Sequence, residues 1–402
     1  MARVVLAGAL DTKGAEYAFV ADHLRQSGVD VLLADVGTRG GPTVEPDIPR
    51  TEILAAAGAA EPSRSRADAL AHMADGLRTV LTRLADEGRI DAVLGFGGSG
   101  AVALLAPAFR ALPLGLPKII VSTMAAFDTQ AVIGASDLLL MPSVVDIAGL
   151  NSFTRGVLTR AAGLVLAGID RPVPAAGGAP LVAASMFGVT TVGVDAARRV
   201  LEEKGFDVLV FHANGVGGRT LESLARQGIL AGVLDLTTTE LADEMLGGKA
   251  SAGPDRLRAA GSRGIPQVVS VGALDIANFG APDTLPSSFD DRVTYQHGPM
   301  DTLLRTSVPE STRLGEILAA RLSEADGPVR VLLPSGGVSA LSEQGGAFWD
   351  PAAEEALVDA LLAGLPTTVQ VERTASPLNS VEFGQRAGEL MAGMIGGGRI
   401  VI

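Results

Sequence analysis

The stretch Val4–Gly41, VVLAGALDTKGAEYAFVADHLRQSGVDVLLADVGTRGG, decides the fold. It opens on an apolar run, turns at a glycine and continues as a helical pattern up to Gly28. A second apolar run follows and ends in another glycine turn. Both runs are continuously apolar, as strands buried on both faces of a parallel sheet are. A glycine just past a helical pattern suits a C-cap. The stretch is therefore a βαβ unit. The same plan returns at Leu181–Gly218, LVAASMFGVTTVGVDAARRVLEEKGFDVLVFHANGVGG.

Further runs of this kind lie in both halves: DAVLGFGG, KIIVSTM and DLLLMPS in the first, GVLDLTTT, QVVSVGALD and VRVLLPSGG in the second. The sequence predicts an α/β protein of two Rossmann-like, doubly wound domains with mainly parallel sheets and an inter-domain cleft. The domains are read as residues 1–175 and 176–402, joined near Asp170–Pro180. The last helical stretch, Asn379–Ile395, is read as a segment that packs back on the first domain. Asp275–Asp301 reads as a long, proline-rich connection without periodicity, and such connections are often functional.

Composition sets the outer limits. A chain of 402 residues exceeds one core, so two domains are expected. With 47% hydrophobic but only 4% aromatic residues, it lacks the stacking platforms of nucleic-acid binders. A net charge of −13 opposes phosphate backbones and anionic membranes as partners. It leaves room for a small phosphorylated ligand, which needs only local donors. There is no cysteine, which excludes disulfides, thiolate catalysis and cysteine-held metals. The N-terminal apolar run is too short for a signal peptide, and the uncharged stretch Pro172–Val194 is broken by prolines. A cytoplasmic protein with no nucleic-acid and no membrane partner is expected.

Ligands of open α/β sheets bind beyond the carboxyl ends of the strands. Two glycine loops stand out there. GFGGSG formally matches G-x-G-x-x-G at Gly95, Gly97 and Gly100. It follows the third strand and not the first, and the next strand ends in VSTM without an acidic ribose reader, so a dinucleotide site is not expected. It remains an anion loop, because glycines let amides converge at a helix N-terminus. HANGVGGRT has the same plan, with Arg219 and Thr220 as added donors. The candidate ligand-binding residues are Asp11, Lys13, Gly97, Gly98, Ser99 and Thr123 in the first half. In the second half they are Gly215, Gly217, Gly218, Arg219 and Thr220. Against this stands the reading of such loops as ordinary caps and turns, which use the same residues.

No Walker-type phosphate loop and no histidine-rich metal spacing occur. Magnesium brought by a nucleotide would need few protein ligands, and Asp11, Asp35 or Asp235 could serve. His297, with Asp275 or Asp11, is the candidate acid–base pair, and His212 at a strand end is a further candidate. PSGGVSAL has serines beside glycines, but nothing in the sequence names a base for them.

The ordered set GALDTKGAE, GFGGSG, VVDIAGLN, MFGVTT, FHANGVGGR, DLTTTE and LPSGGVSALSEQGGAFWDP covers nearly the whole chain. Together these motifs resemble an uncharacterised family related to the ATP-binding N-terminal domain of the tomato mosaic virus resistance protein. The resemblance implies two Rossmann-like domains, ATP with Mg²⁺ at the loops, a homo-oligomer and a TIM-barrel protein as partner. The chain departs from the family at His297-Gly298-Pro299, where that family has His-Asn, and at Asn379-Ser380, where it often has Asn-Asp. The expected functions are ATP binding, a small-molecule hydrolase or lyase, or a non-catalytic subunit of a barrel protein.

Overall fold

The structure, a computed structural model, describes residues 1–59, 65–127, 129–170 and 178–397. Most of the joint read at Asp170–Pro180 lies outside the described residues. The chain divides into two compact units, residues 1–177 and 178–402.

The first unit runs β1 (Arg3–Gly8), α1 (Leu10–Gln26), β2 (Asp30–Asp35), α2 (Arg50–Ala56), α3 (Arg66–Asp86), β3 (Ala92–Phe96), α4 (Ser99–Arg110), β4 (Lys118–Ser122), α5 (Gln130–Ile133), β5 (Leu139–Pro142) and α6 (Ser152–Asp170). The strands form one parallel sheet in the order β2-β1-β3-β4-β5. Successive strand residues feed opposite faces. Val5, Ala7, Val93 and Ile120 join the core under α2, α3 and α4. Val4, Leu6, Leu94 and Val121 join the core under α1 and α6. Both faces are buried, which is why the strands read as unbroken apolar runs.

The second unit runs β6 (Leu181–Met186), α7 (Thr191–Glu203), β7 (Asp207–His212), α8 (Val216–Gln227), β8 (Gly232–Thr237), α9 (Glu240–Leu246), α10 (Ala259–Ser262), β9 (Gln267–Gly272), β10 (Ile276–Phe279), β11 (Thr294–Gly298), β12 (Asp301–Arg305), α11 (Val308–Ser323), β13 (Val329–Leu333), α12 (Pro351–Gly364), β14 (Gln370–Arg373) and α13 (Val381–Gly397). Its main sheet is parallel, in the order β14-β13-β9-β8-β6-β7.

Three expectations change. Asp275–Asp301 is not irregular throughout: β10 and β11 within it pair antiparallel with β12 in a three-stranded sheet, while residues 280–293 between them hold only turns and two short 3-10 helices. The Gly298-Pro299 turn that joins β11 to β12 is short, and the prolines around it hid two short strands. β7 is not a buried strand but the edge of its sheet, and His212 at its end is exposed. Helix α13 packs on α7 of its own unit. The contact rests on small residues: a Cβ on Gly384 would stand 1.9 Å from the carbonyl oxygen of Gly193. Such close backbone approach fixes the partner of α13.

Candidate functional site

All strands of the first sheet point one way, so their carboxyl ends form a single rim. The order 2-1-3-4-5 reverses direction between β1 and β3, and a crevice opens at that switch point. Tyr17 braces it. Its hydroxyl accepts the Phe96 amide at 2.9 Å and donates to the Ala7 carbonyl at 2.8 Å, tying the last turns of β3 and β1. Its ring stacks on Phe96 at 3.8 Å. Burial, assisted by Glu16, pushes the phenol well above its ordinary pKa against the Phe96 hydrogen bond, so the hydroxyl keeps its proton.

Directly beyond lies a cavity of about 320 Å³. Its walls include Asp11 and Lys13 from α1, Thr38 and Arg39 after β2, Arg66 at the start of α3, and Gly98–Ala101 at the start of α4. Helix α4 is 12 residues long and begins at Ser99, so its unpaired amides and positive dipole end face the cavity. Lys13 stands at a kink in α1, with φ −131° and ψ 22°, and its ammonium donates to the Ile147 carbonyl. Glu16 accepts the Gly149 amide at 2.8 Å, so two residues of α1 hold the loop after β5. Asp11 Oδ2 accepts the Arg39 and Gly40 amides, each at 3.1 Å. Its Oδ1 is buried and has no hydrogen-bond partner among the described residues.

Four sequence candidates therefore meet in one cavity: Asp11, Lys13, Gly98 and Ser99. Gly97 stands just before them, its amide given to the Val121 carbonyl at 3.0 Å. Thr123 lies in the turn after β4 and does not line the cavity. Arg39 and Arg66 were not singled out in the sequence. A signal for Arg66 exists: a cation in the first turn of a helix opposes the dipole, which calls for a nearby anion. Neither guanidinium has a carboxylate partner among the described residues, as Arg3, Arg25, Arg50, Arg78, Arg83 and Arg89 do; Arg110 and Arg155 lack one too, but they meet the Ala131 carbonyl and the Phe19 ring and do not line the cavity.

The magnesium candidates separate as clearly. Asp35 is buried, accepts the Leu10 and Gly37 amides, and pairs with Arg50 at 2.8 Å. Asp235 is buried between Arg256 and the Ser185 hydroxyl. Both carboxylates are spent on structure, and only Asp11 keeps an unused oxygen. No group of three or more His, Asp or Glu positioned for a metal occurs among the described residues.

The second glycine loop has a different fate. It follows the edge strand β7, whereas the switch point of its sheet lies between β6 and β8. At that switch point the Thr190 and Thr237 hydroxyls lie 2.8 Å apart and fully buried. In the loop itself, Glu240 Oε1 accepts the amides of Gly215 at 2.7 Å and Gly218 at 3.0 Å. Gly217 donates to the Asn214 side chain, Arg219 to the Ser251 carbonyl at 2.8 Å, and the Thr220 hydroxyl to the Val216 carbonyl at 2.9 Å. The loop is an anion nest, and its anion is the protein's own carboxylate. The expectation of a phosphate cradle at Gly215, Gly217, Gly218, Arg219 and Thr220 is corrected on that ground. Glu240 also meets Arg256, which Asp235 and Glu222 surround. Burial works against the charge of that guanidinium, but the carboxylates hold it protonated.

In the second unit, His297 and Asp275 share no hydrogen bond or ion pair among the described residues. His297 lies exposed on β11 and acts electrostatically on Asp301, which pairs with Lys249. Asp275 is buried and accepts the Ser339 hydroxyl at 2.7 Å. Burial raises its pKa, opposed by the nearby Arg305 and by Ser339. His212 stacks on Phe187 at 5.2 Å. Asn379 accepts the Val192 amide in the first turn of α7, and Ser380 accepts the Phe383 amide at the start of α13. Asp and Ser serve equally as such caps, so Ser380 in place of Asp leaves the local structure intact.

Residues 2–172 match the N-terminal domain, and residues 179–395 the C-terminal domain, of the Uncharacterised protein family (UPF0261). The chain belongs to the UPF0261 family. It is 42% identical to UPF0261 protein mlr3387 of Mesorhizobium japonicum, over 95% of this chain and 97% of that protein. To a UPF0261 protein of Clostridium tetani it is 38% identical, over 95% of this chain and 96% of the relative. It is also 38% identical to the ToMV resistance protein Tm-1(GCR237) of Solanum lycopersicum, where the alignment spans 95% of this chain but 54% of the tomato protein. A solved UDP-N-acetylglucosamine 2-epimerase from Rickettsia bellii aligns over 67% of this chain and 74% of its own, with 14% identity and a TM-score of 0.23, too low to support inference. No helix among the described residues is long and apolar enough to cross a membrane.

Proposed function

We propose that this UPF0261 member binds a nucleotide, ATP with Mg²⁺, in the cavity of the first unit. One observation carries the reading. In a chain of net charge −13, Lys13, Arg39 and Arg66 gather with the N-terminus of α4 at the β1/β3 switch point. Cations and converging amides are what a phosphate chain needs. Asp11 Oδ1 suits the accompanying Mg²⁺, which keeps most of its water and takes one or two carboxylates. The resemblance to an ATP-binding domain points the same way.

The test is thermal. A ligand bound only by the folded state raises the melting temperature with concentration. Mg·ATP should raise it, and Lys13→Ala and Arg66→Ala should each weaken the rise. No shift at millimolar Mg·ATP would end the reading.

A further inference from the structure

The cavity carries more than a preference for anions. Sites that read a nucleoside need partners for the base and the ribose. In a doubly wound sheet the ribose reader is an acid at the end of the second strand. Here that residue is Asp35, and it is spent on Arg50 and on the Leu10 and Gly37 amides. Beyond it stand Thr38 and Arg39, a hydroxyl and a cation. The cavity walls hold no aromatic ring to stack a base and no Asn or Gln side chain to read its edge among the described residues. The apolar part of the lining is aliphatic, as with Val36, Leu70 and Leu104. At about 320 Å³ the space is at the small end for a drug-sized ligand. The charged donors, by contrast, are spread over three elements: Lys13 on α1, Arg39 after β2 and Arg66 on α3, with the amides of α4 between.

We infer that the site recognises the Mg·triphosphate group and is indifferent to the base. Arg39 and Arg66 are the residues that set this preference, since neither has a carboxylate partner among the described residues and both line the cavity. The inference rests on the nucleotide reading of the same cavity. It adds that the recognised chemical class is a polyphosphate chain, with the nucleoside projecting outward.

The experiment is calorimetric titration of the full chain with Mg²⁺ and, in turn, ATP, GTP, CTP, inorganic tripolyphosphate and adenosine. The expected result is that the three nucleotides agree within about threefold, that tripolyphosphate follows within about tenfold, and that adenosine gives no heat. Arg39→Ala and Arg66→Ala should each weaken ATP and tripolyphosphate by the same factor, about tenfold. ATP binding with GTP and CTP weaker by two orders of magnitude would overturn base indifference and leave the nucleotide reading standing. Adenosine binding as tightly as ATP would overturn it too. If none of the phosphates binds, the nucleotide reading itself fails, and the inference with it. Circular dichroism of the two variants separates a lost contact from a lost fold.

Discussion

Oε1 of Glu240 lies 3.0 Å from the amide nitrogen of Gly218, buried in the second unit. One carboxylate thus fills the place that the loop would otherwise offer to a phosphate. The same carboxylate neutralises Arg256, so removing it leaves a buried cation short of a partner. Glu240→Ala should cost about 3–5 kcal/mol. It should also create a binding site: acetate or phosphate should restore part of the melting temperature of the variant and do far less for the parent chain. Equal effects of acetate on both would show that the nest does not depend on Glu240.

Asp11 gives a second prediction. Asp11→Asn preserves an oxygen for the Arg39 and Gly40 amides but removes the charge offered at the buried Oδ1. Nucleotide binding should then lose its dependence on Mg²⁺. A binding isotherm of the variant that still tightens with added Mg²⁺ would remove Asp11 from the site.

Tyr17→Phe keeps the stacked ring and deletes one hydroxyl, which leaves the Phe96 amide buried without its acceptor. The cost should be about 1–3 kcal/mol by chemical denaturation. Because the hydroxyl ties the ends of β1 and β3, ligand affinity should fall as well. Unchanged affinity would mean that the crevice keeps its width without this brace.

The carboxyl of Glu354 is raised from 4.5 to about 7, first by burial, then by the neighbouring Asp275, against the opposing influence of Ser342 nearby. Asp275 is raised in the same sense by its own burial. A raised carboxyl contributes stability that is fully present below the unfolded pKa and is lost as pH climbs through the folded one. The window for Glu354 therefore runs from about 4.5 to about 7. The loss should be on the order of 1–2 kcal/mol, after allowance for its partial exposure. Glu354→Gln should flatten the profile of denaturation midpoint against pH across that window. A slope equal to the parent's would place its origin elsewhere, with Asp275 next to examine by Asp275→Asn.

The strands were legible because they are parallel and covered on both faces, so each reads as a short apolar run. Their order was not: nothing in Val4–Gly8 says that it lies beside Ala92–Phe96, and the cavity exists only because it does. Asp11, Lys13, Gly98 and Ser99 could be named from their places after strands. The glycines at 215–218 could not be told from a phosphate loop, since the carboxylate that fills them sits more than 20 residues later, inside DLTTTEL. His297 and Asp275 share a segment of sequence, but the hairpin between β11 and β12 carries the histidine into solvent.

A last prediction concerns Gly384. A methyl there meets backbone at Gly193, which cannot turn aside as a side chain would. Gly384→Ala should destabilise the second unit by about 1–3 kcal/mol and leave ligand affinity unchanged. Loss of affinity in a folded variant would link α13 to the site.

The contact of α13 with α7 also sets an order in time. Phe383, Ala387, Met391 and Ile395 complete the layer over β6 and β8, a core that begins at Val182. A chain made from its N-terminus can close its first unit once α6 has emerged. In the second, β6 at its start waits some 200 further residues of synthesis for α13, the helix that backs it, while the remaining strands of its sheet are still being made. The interval during which apolar surface stays open to chaperones or to aggregation therefore belongs almost wholly to the second half.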